Sequence, residues 1–323
     1  MIEHQIRPFR DGDRAAIVAG KNAEKPPHLH ETVAEWERTD ARRPAEEVQM
    51  RLCIGDPETD RAVAFLSAAD RGTSAYRREG VCGLSLWVAP SRRRQGLGRA
   101  LYARAEAFAR ERGLTRMKAY LRLYEADPPG VAFARALGFV VLDRDVPVML
   151  DLTAFVPPSP TRPLPDGLHL RAFADVPDTD ENWRRLYALD CLLDRDIPTR
   201  DTQRHEMPPF EPWRAAMEGP EWDPGAVILA EDGAGEWVGV SALGFQEDTN
   251  IGWTFITGVL PAYRGRGVAL ALKVRALKAA QARGCPLVTT ENHEDNAAMR
   301  AINRKLGFVP DAPGVSYDKP LEA

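Results

Sequence analysis

The sequence predicts an α/β protein in which two similar domains follow one another along the chain. Three observations support this prediction. The chain has 323 residues, whereas single domains cluster near ~100 to 150 residues. In each half, short apolar or alternating runs typical of strands come before a longer run with helical spacing. The same short motifs also occur twice, in the same order, on either side of a proline-rich segment.

The proline-rich segment covers residues 156–165. Proline restricts the backbone to an extended path and removes hydrogen-bond donors, which is typical of a linker. We therefore predict a first domain at residues 1–153, a linker at 154–166 and a second domain at 167–323.

Composition and charge exclude several classes of protein. With 44% hydrophobic and 28% charged residues, the chain has the balance of a globular protein and not of a disordered or collagen-like one. A formal net charge of −4 at pH 7 provides no general attraction for nucleic acid. No apolar run approaches the ~18 residues of a membrane span, and the polar start of the chain is not typical of an export signal. We expect a cytoplasmic protein without nucleic-acid or membrane partners.

The elements of the two halves follow the same order. Each half opens with an alternating strand and a polar helical stretch, starting at residues 6–9 and 170–173. Further strands are predicted at Ala62–Ala68 and Val81–Val88, and in the second half at Ala226–Ala230, Trp237–Phe245 and Ile251–Val259. Long helices then follow, with one apolar face formed by Leu97, Leu101, Ala105 and Phe108, or by Leu270, Val274 and Leu277. A short strand and a second helix complete each half.

A basic loop separates the last central strand from the long helix in each half. It runs from Val88 to Gly98 in the first half and from Val259 to Ala269 in the second. Glycine lets the backbone approach an anion and adopt positive φ, and a helix N-terminus attracts phosphate. The three-glycine dinucleotide motif and the Gly-Lys-Ser/Thr ending of a triphosphate loop are both missing. The loops therefore predict an anionic ligand other than NAD or ATP.

The two loops, Arg93-x-x-Gly96-x-Gly98 and Arg264-x-x-Gly267-x-Ala269, resemble the acetyl-CoA loop of the GCN5-related N-acetyltransferases, the GNAT superfamily. Each is preceded by Val-x-Pro and followed at a similar distance by Leu-Gly-Phe. The resemblance implies two tandem domains, each with a mixed, twisted β-sheet that is flanked by helices and splayed where strands four and five part. The residues implied to bind acetyl-CoA are Val88, Arg93, Arg94, Gln95, Gly96, Leu97, Gly98, Arg99, Val259, Arg264, Gly265, Arg266, Gly267, Val268, Ala269 and Asn296.

The resemblance also implies the reaction. The pantetheine arm of acetyl-CoA would lie in the splay, and the acceptor would approach from the opposite side. A primary amine of a small molecule would attack the thioester directly, which requires a base for the amine proton and a backbone N–H for the developing oxyanion. No metal is required.

Both halves depart from the family at the tyrosine that serves as the acid, in Asn-x-x-Ala-x-x-x-Tyr. The second half keeps Asn296 but has Asn303 in place of the tyrosine, and an amide supplies no proton. In the first half, the positions of the asparagine, the alanine and the tyrosine hold Asp127, Gly130 and Ala134. Pro128 and Pro129 are expected to delay the start of that helix. We therefore predict that the second half is catalytic and that the first binds acyl-CoA or has only a structural role.

Glu291 is the first candidate for the base, because it lies just past a buried strand where the splay is expected to open. Together with Asn303 it forms the candidate catalytic pair. His293, Glu247 and Asp248 are further candidates, and the alternative for each of these residues is a solvated charge in a loop.

The first helices of the second half are expected to recognise the acceptor. Three acidic residues there are candidates to receive a cationic amine: Asp194, Asp196 and Glu211. Phe210 and Trp213 either join them or serve as core anchors. The comparable part of the first half holds His28 and His30, which lack a third metal ligand. The four cysteines, Cys53, Cys82, Cys191 and Cys285, have no paired spacing and are expected to be reduced.

The leading interpretation is an acetyl-CoA-dependent N-acetyltransferase that acts on a small amine. One alternative is an acyl-CoA-binding protein without transferase activity, because both tyrosines are missing. Another is a mycothiol synthase-like acetyltransferase, since that family also has tandem halves with an altered first half. The chain is expected to be either a homodimer or a monomer in which the two halves act as a pseudo-dimer.

Overall fold

The computed structural model describes residues 6–43, 47–70, 80–125, 128–158, 163–201 and 207–322. The chain forms two compact units. Unit 1 comprises Met1–Arg144, Arg200–Glu206 and Gly314–Ala323, and unit 2 comprises Asp145–Thr199 and Met207–Pro313. Asp127 and residues 159–162 of the proline-rich segment, both singled out from the sequence, lie outside the described residues.

The elements alternate along the chain in both halves. The first half contains β1 (Ile6–Pro8), α1 (Arg14–Asn22), α2 (Val33–Ala41), β2 (Val48–Gly55), β3 (Ala62–Asp70), β4 (Val81–Val88), α3 (Leu97–Glu111), β5 (Arg116–Arg122), α4 (Pro129–Ala136) and β6 (Val140–Asp151). The second half contains β7 (His169–Ala172), α5 (Asp180–Asp194), α6 (Phe210–Met217), β8 (Trp222–Glu231), β9 (Trp237–Phe245), β10 (Gly252–Val259), α7 (Val268–Ala282), β11 (Leu287–His293), α8 (Ala297–Lys305), β12 (Val309–Pro310) and β13 (Gly314–Pro320).

The sheet of unit 1 has the order β1-β2-β3-β4-β5-β13. β4 and β5 run parallel, and the other neighbouring pairs are antiparallel. The parallel pairing joins Val81–Leu84 to Arg116–Ala119 and covers only the first half of β4. The second half of β4 is paired with β3 as far as Val88 and faces an opening on its other side. The expected splay is therefore confirmed.

The sheet of unit 2 has the order β6-β11-β10-β9-β8-β7, with β12 beside β6. Here β10 and β11 form the parallel pair, which joins Gly252 and Trp253 to Val288 and Thr289. A β-bulge after Thr254 shifts the register of β10 against β9 and bends the strand, as bulges do. A splay therefore opens in unit 2 as well, directly after the two paired residues of β10, Gly252 and Trp253.

The last strand of the chain does not join the sheet of its own half. β13 pairs with β5 in unit 1, where Tyr317 lies opposite Ala119, and both Val315 and Tyr317 are buried in the core of that unit. Residues Asp145–Asp151 of β6 pair instead with β11 in unit 2. The alternation of a strand determines its two faces but not its neighbour, so the sequence did not indicate this exchange.

The long helices cover one face of each sheet. α3 packs on β3 and β4, and α7 packs on β8, β9 and β10. The predicted apolar faces are confirmed. Phe108 is partly buried, and the other residues of these faces are buried: Leu97, Leu101, Ala105, Leu270, Val274 and Leu277. In unit 2, the opposite face is covered by α5 and α6, which contribute Trp183 and Trp213 to a second core.

Two local expectations are also confirmed. α4 begins at Pro129 with Pro128 as its N-cap, one residue later than α8 when both are counted from the Phe of the Leu-Gly-Phe motif. All four cysteines are free.

Near the end of β4 and of β10, the strand contacts a helix through one glycine and one large side chain. The strand supplies the large side chain in unit 1 and the glycine in unit 2. In unit 1 a Cβ built on Gly20 of α1 would lie 2.2 Å from Cζ2 of Trp87 on β4. In unit 2 a Cβ built on Gly258 of β10 would lie 2.9 Å from Cδ1 of Leu193 on α5. One large side chain fills the same position in each unit, supplied by the strand in one case and by the helix in the other.

Candidate functional site

The basic loop of unit 2 ends at Gly267, which is the N-cap of α7. Its φ of 83° lies in the left-handed region, where a residue with a side chain is strained. The first N–H groups of α7 have no partner within the helix and carry partial positive charge. Val268 is buried, so this residue presents its backbone and not its side chain. This geometry suits a diphosphate.

The loop of unit 1 repeats this geometry. Gly96 is the N-cap of α3, also with a φ of 83°, and Leu97 is buried. Gly98 and Ala269 lie in the first helical turns, where a small residue keeps the approach to the N–H groups open. The exposed side chains around the two loops include those of Arg94, Gln95, Arg99 and Arg266. These residues are available to an anion.

The first arginine of each motif is engaged within the protein. In unit 1, Nε of Arg93 donates to the carbonyl oxygen of Val88 at 3.1 Å, and its guanidinium pairs with Glu24. In unit 2, Nε of Arg264 donates to the carbonyl oxygen of the last residue of β10 at 2.9 Å, and its guanidinium pairs with Asp196. Both arginines hold the loop against the end of the strand, a role that the motif did not indicate.

Unit 1 contains a cavity of 1570 Å³ that extends from the loop into the splay. Gly96 and Val88 line it near the loop, and Tyr120 lines it on β5. It continues to the C-terminal end of α1, where it is lined by Lys21 and, just past the helix, by Glu24. Ligand cavities typically measure ~300–1,000 Å³, so this one has room for a long coenzyme arm and a small acceptor.

Asn303 occupies a buried position on α8, with 2% of its surface exposed. Its Nδ2 donates to Oδ1 of Asn292 on β11 at 2.7 Å. Asn292 lies past Thr289, the last residue of β11 that pairs with β10. Within the described parts of the chain, Oδ1 of Asn303 and Oγ1 of Thr254 are buried without a hydrogen-bond partner. Because buried polar atoms are nearly always bonded, these two oxygens fit a ligand that brings N–H groups into the splay.

Asn296 serves as the N-cap of α8. Its side-chain oxygen accepts a hydrogen bond from the N–H of Met299 at 3.2 Å. Capping of this kind stabilises a helix by about 1 kcal/mol, so the residue positions α8 whether or not it also contacts a coenzyme.

Glu291 lies within β11 and not beyond it, because β6 pairs with this strand as far as His293. The sequence-based placement of Glu291 past the strand is therefore corrected, although it lies past the last residue paired with β10, where the splay opens. Successive side chains of a strand alternate between faces. Since Asn292 bonds to α8, Glu291 and His293 lie on the other face. The side chain of Glu291 is exposed there.

The other candidate bases differ in position. His293 is buried, and its Nδ1 accepts a hydrogen bond from the N–H of Asp295 at 3.1 Å. Glu247 and Asp248 lie in the turn between β9 and β10, at the closed end of the parallel pair. The structure thus brings Glu291 and His293 to the splay and leaves the two turn acids away from it.

The acceptor region expected in unit 2 is an aromatic core. Phe210 and Trp213 on α6 are buried and contact each other and Tyr187. Glu211 is exposed, Asp196 pairs with the loop arginine, and Asp194 is the last residue of α5. The two aromatic residues therefore serve as core anchors.

Sequence reasoning missed Asp190, which lies on the inner side of α5. Trp213 donates its Nε1–H to Oδ2 of Asp190 at 2.8 Å. Burial raises the pKa of this carboxyl to about 6, and the charge of Asp194 acts in the same direction. The sequence pattern could have indicated that this side chain faces the interior, because Asp190 falls at helical spacing between Leu186 and Leu193 on the apolar face of α5.

Replacing Asp190 with Asn is expected to stabilise the protein at pH 8 but hardly at pH 4. The pKa of about 6 in the folded state exceeds ~3.9 in the unfolded chain, so stability is lost as the pH rises from ~4 through 6. The amide still accepts the Trp213 hydrogen bond without a charge. In denaturant titrations we expect the free energy of unfolding to rise by about 1–3 kcal/mol at pH 8 and by under about 0.5 kcal/mol at pH 4.

The matched control for this prediction is Asp178→Asn. Asp178 accepts a hydrogen bond from Nε1 of Trp183 at 2.8 Å but is exposed, so its replacement removes no buried charge. The same pH dependence in both variants would contradict the role assigned to burial.

Comparisons with known proteins agree with this geometry. The profile of the acetyltransferase (GNAT) family matches residues 17–139 and again residues 186–308. The chain belongs to the GNAT acetyltransferase family. Each matched segment contains one of the two cap glycines, Gly96 and Gly267, and the prediction of a tandem GNAT acetyltransferase is confirmed. GNAT enzymes use acetyl-CoA as a co-substrate and act on small-molecule substrates.

Relatives of this GNAT protein extend over most of its length. The mycothiol acetyltransferase of Geodermatophilus obscurus is 29% identical over 290 residues, which cover 84% of this chain and 87% of that protein. The mycothiol acetyltransferase of Salinispora arenicola is 32% identical over 242 residues, which cover 73% of each chain.

Solved structures share the fold. A GCN5-related N-acetyltransferase from Sphaerobacter thermophilus superposes with a TM-score of 0.76 at 21% identity, over 98% of this chain and 96% of that one. A tandem GNAT protein from the clavulanic acid biosynthesis pathway has the same TM-score and identity, over 98% of both chains. Among the described residues, no helix is long and apolar enough to span a membrane.

Proposed function

We propose that this GNAT enzyme transfers an acetyl group from acetyl-CoA to a primary amine of a small molecule by direct attack of the amine. The observation that carries the proposal is the pair of left-handed cap glycines, Gly96 and Gly267, each beside a splayed parallel pair. A helix N-terminus opened in this way binds a diphosphate, and the splay next to it accommodates the arm that carries the thioester.

Unit 2 is the proposed catalytic unit. Glu291 lies at the splay on the face opposite α8, where it accepts the proton of the attacking amine. The unpartnered oxygens of Asn303 and Thr254 support coenzyme binding in the same splay. A backbone N–H of β10 beyond the bulge is the proposed donor to the carbonyl oxygen as negative charge develops on it.

Unit 1 is proposed to bind a second molecule of acetyl-CoA. Its cap glycine and the cavity of 1570 Å³ support this role. This unit departs further from the family's motif than unit 2, with Gly130 and Ala134 at the positions of the alanine and the tyrosine, so it is not the proposed site of transfer.

A second candidate function concerns the acceptor. Several relatives that cover more than two thirds of the chain are named mycothiol acetyltransferase. This shared name supports including the unacetylated precursor of mycothiol in the amine panel, as one acceptor among small primary amines.

The test combines binding and turnover. Calorimetric titration with acetyl-CoA is expected to show two sites per chain, and release of free coenzyme A thiol is expected only when an accepted amine is present. Tight binding of acetyl-CoA with no thiol release for any amine would favour the binding protein over the enzyme. A chain that binds no acetyl-CoA would overturn the proposal.

Replacing Glu291 with Gln is expected to lower kcat about 100- to 1,000-fold, because removal of a general base costs ~10²–10⁴ in rate. The KM for acetyl-CoA is expected to stay within about threefold, since the side chain lies on the face opposite the coenzyme arm. The measurement is steady-state thiol release with the best amine of the panel. Glu247→Gln is the control, because that residue lies at the closed end of the strand pair. Full activity of Glu291→Gln would contradict its role as the base.

A further inference from the structure

Three aromatic rings lie together on the face of the unit 2 sheet that α5 covers, and we call them the aromatic cluster. Trp253 and Phe255 belong to β10, and their ring centroids are 5.3 Å apart at an interplanar angle of 66°. Trp222 of β8 lies 6.0 Å from Phe255 and 6.2 Å from Trp183 of α5. Such spacings are typical of favourable aromatic pairs. The cluster therefore extends the core beneath α5 as far as β10.

Gly244 of β9 makes room for two of these rings. It pairs with Trp253, and a Cβ built on it would lie 2.5 Å from Cε2 of Phe255 and 2.8 Å from Cζ2 of Trp253. Both rings therefore lie directly over the glycine backbone. The preceding residue of β10, Gly252, faces the α7 core, where its Cβ would lie 3.0 Å from Cγ2 of Val288. Since side chains alternate along a strand, Trp253 faces α5, and Phe255 shares that face.

Phe255 is the exposed end of the cluster and lies at the splay. It has 38% of its surface exposed and lies two residues past Trp253, the last residue of β10 that pairs with β11. Glu291 lies two residues past Thr289, the partner of Trp253. Its exposed side chain is on the face opposite α8, and α8 packs on the same core as α7. The ring of Phe255 and the carboxylate of Glu291 therefore occupy matching positions on the two sides of the splay and on the same face.

The equivalent strand of unit 1 shows that the fold does not require these rings. Leu84, the last residue of β4 that pairs with β5, packs in the core with α3. Its neighbours Gly83 and Ser85 therefore face the other way, and both line the cavity of that unit. Unit 1 thus has two small residues at the start of its splay where unit 2 has Trp253 and Phe255. The architecture does not demand two large rings there.

We propose that the aromatic cluster binds the acceptor and that this acceptor is a primary amine attached through a short chain to a flat aromatic ring. This inference rests on the proposed function. The ring of the acceptor packs against the exposed side of Phe255, and its amino group reaches across the splay to Glu291. Contacts between aromatic rings contribute more than the burial of their area alone, so the ring of the acceptor is a specificity determinant.

The side chains of this face favour an aromatic ring over a sugar. The next residue of β10, Ile256, packs against the core beneath α5 and offers no hydrogen bond. A sugar presents several hydroxyl groups, each of which loses its hydrogen bonds to water unless the site replaces them. An aromatic ring has no such requirement. The carboxylate of Glu291 complements the positive charge that a primary amine carries in solution.

The test compares amines that differ only in the group attached to the aminoethyl chain. 2-Phenylethylamine carries a flat ring, 2-cyclohexylethylamine a puckered saturated ring, and ethylamine no ring. We expect kcat/KM of the parent protein for 2-phenylethylamine to exceed that for ethylamine by at least about tenfold, because a ring is buried. It is expected to exceed that for 2-cyclohexylethylamine by about two- to tenfold. The measurement is release of coenzyme A thiol at saturating acetyl-CoA.

Two variants assign this preference to the cluster. Phe255→Leu retains an apolar side chain but removes the flat ring, so the ratio of kcat/KM between the phenyl and cyclohexyl amines is expected to fall to about one. Gly244→Ala leaves Phe255 in place but displaces its ring and is expected to lower the same ratio. A merely structural defect would lower both values equally and leave their ratio unchanged. Leu192→Ala is the control, because Leu192 of α5 is 48% exposed and lies outside the cluster.

The outcomes distinguish this inference from the function on which it rests. Equal values of kcat/KM for the phenyl and cyclohexyl amines in the parent protein overturn the inference alone, because turnover of these amines retains the proposed function. An unchanged ratio in Phe255→Leu overturns it as well. A preference for glucosamine over 2-phenylethylamine that is lost in Phe255→Leu assigns the cluster to a sugar and overturns the inference. No thiol release with any amine overturns the proposed function and the inference together.

Discussion

Gly267→Glu is expected to abolish acetyl transfer and to reduce acetyl-CoA binding from two sites per chain to one. Gly267 has a φ of 83°, so any side chain there costs about 1–2 kcal/mol. A carboxylate also repels the diphosphate at the mouth of α7. Together these effects correspond to a loss of affinity of about 100-fold or more. Calorimetry would count the sites, and thiol release would measure the transfer.

Gly96→Glu and Gly267→Ala complete this experiment. Gly96 is the equivalent N-cap of α3, with the same φ of 83°, so Gly96→Glu is expected to remove the other binding site while unit 2 retains transfer. Gly267→Ala adds backbone strain without charge and is expected to have the smaller effect. Loss of transfer from Gly96→Glu alone would reverse the assignment and make unit 1 the catalytic unit.

Tyr317→Ala, near the C-terminus, is expected to destabilise unit 1, whose other strands come from the first half of the chain. Tyr317 is 2% exposed and packs in the core of unit 1, where β13 pairs with β5. Truncation of a buried aromatic residue costs about 3–5 kcal/mol. Hydrogen–deuterium exchange is expected to show lost protection in β3, β4 and β5, with unit 2 less affected.

Val309→Ala is the control for this experiment. Val309 lies on β12 of unit 2 and is 50% exposed, so its truncation is expected to change the stability by less than about 0.5 kcal/mol. Loss of protection in β10 and β11 upon Tyr317→Ala, with β3 to β5 unchanged, would contradict the exchange of the last strands.

The sequence was sufficient for features that depend on neighbouring residues. β4 and β9 begin and end where their apolar runs predicted, at Val81–Val88 and Trp237–Phe245. The loops could be found because a tight turn at a helix N-terminus accepts few residue types. Glycine, here Gly96 and Gly267, is the residue type that marks such a turn most clearly in a sequence. The family followed from these motifs because they occur twice with the same spacing.

Other features depend on residues that are distant in the chain. The partly buried position of Asp190 was missed because a single polar residue on an apolar helical face does not show whether the space around it is open or filled. Glu291 was placed after β11 because the pairing with β6, which extends this strand, joins Glu291 to Pro147, a residue more than 140 positions away in the chain.

By itself, the sequence determined that this protein is a tandem acetyltransferase with two loops suited to a diphosphate, because those loops are built from consecutive residues whose backbone preferences are local. Only the tertiary structure decided which sheet receives the last strand and which face of β11 presents Glu291. Those outcomes depend on contacts between distant segments, and the energy of burying a charge or pairing an edge exists only after the segments have met.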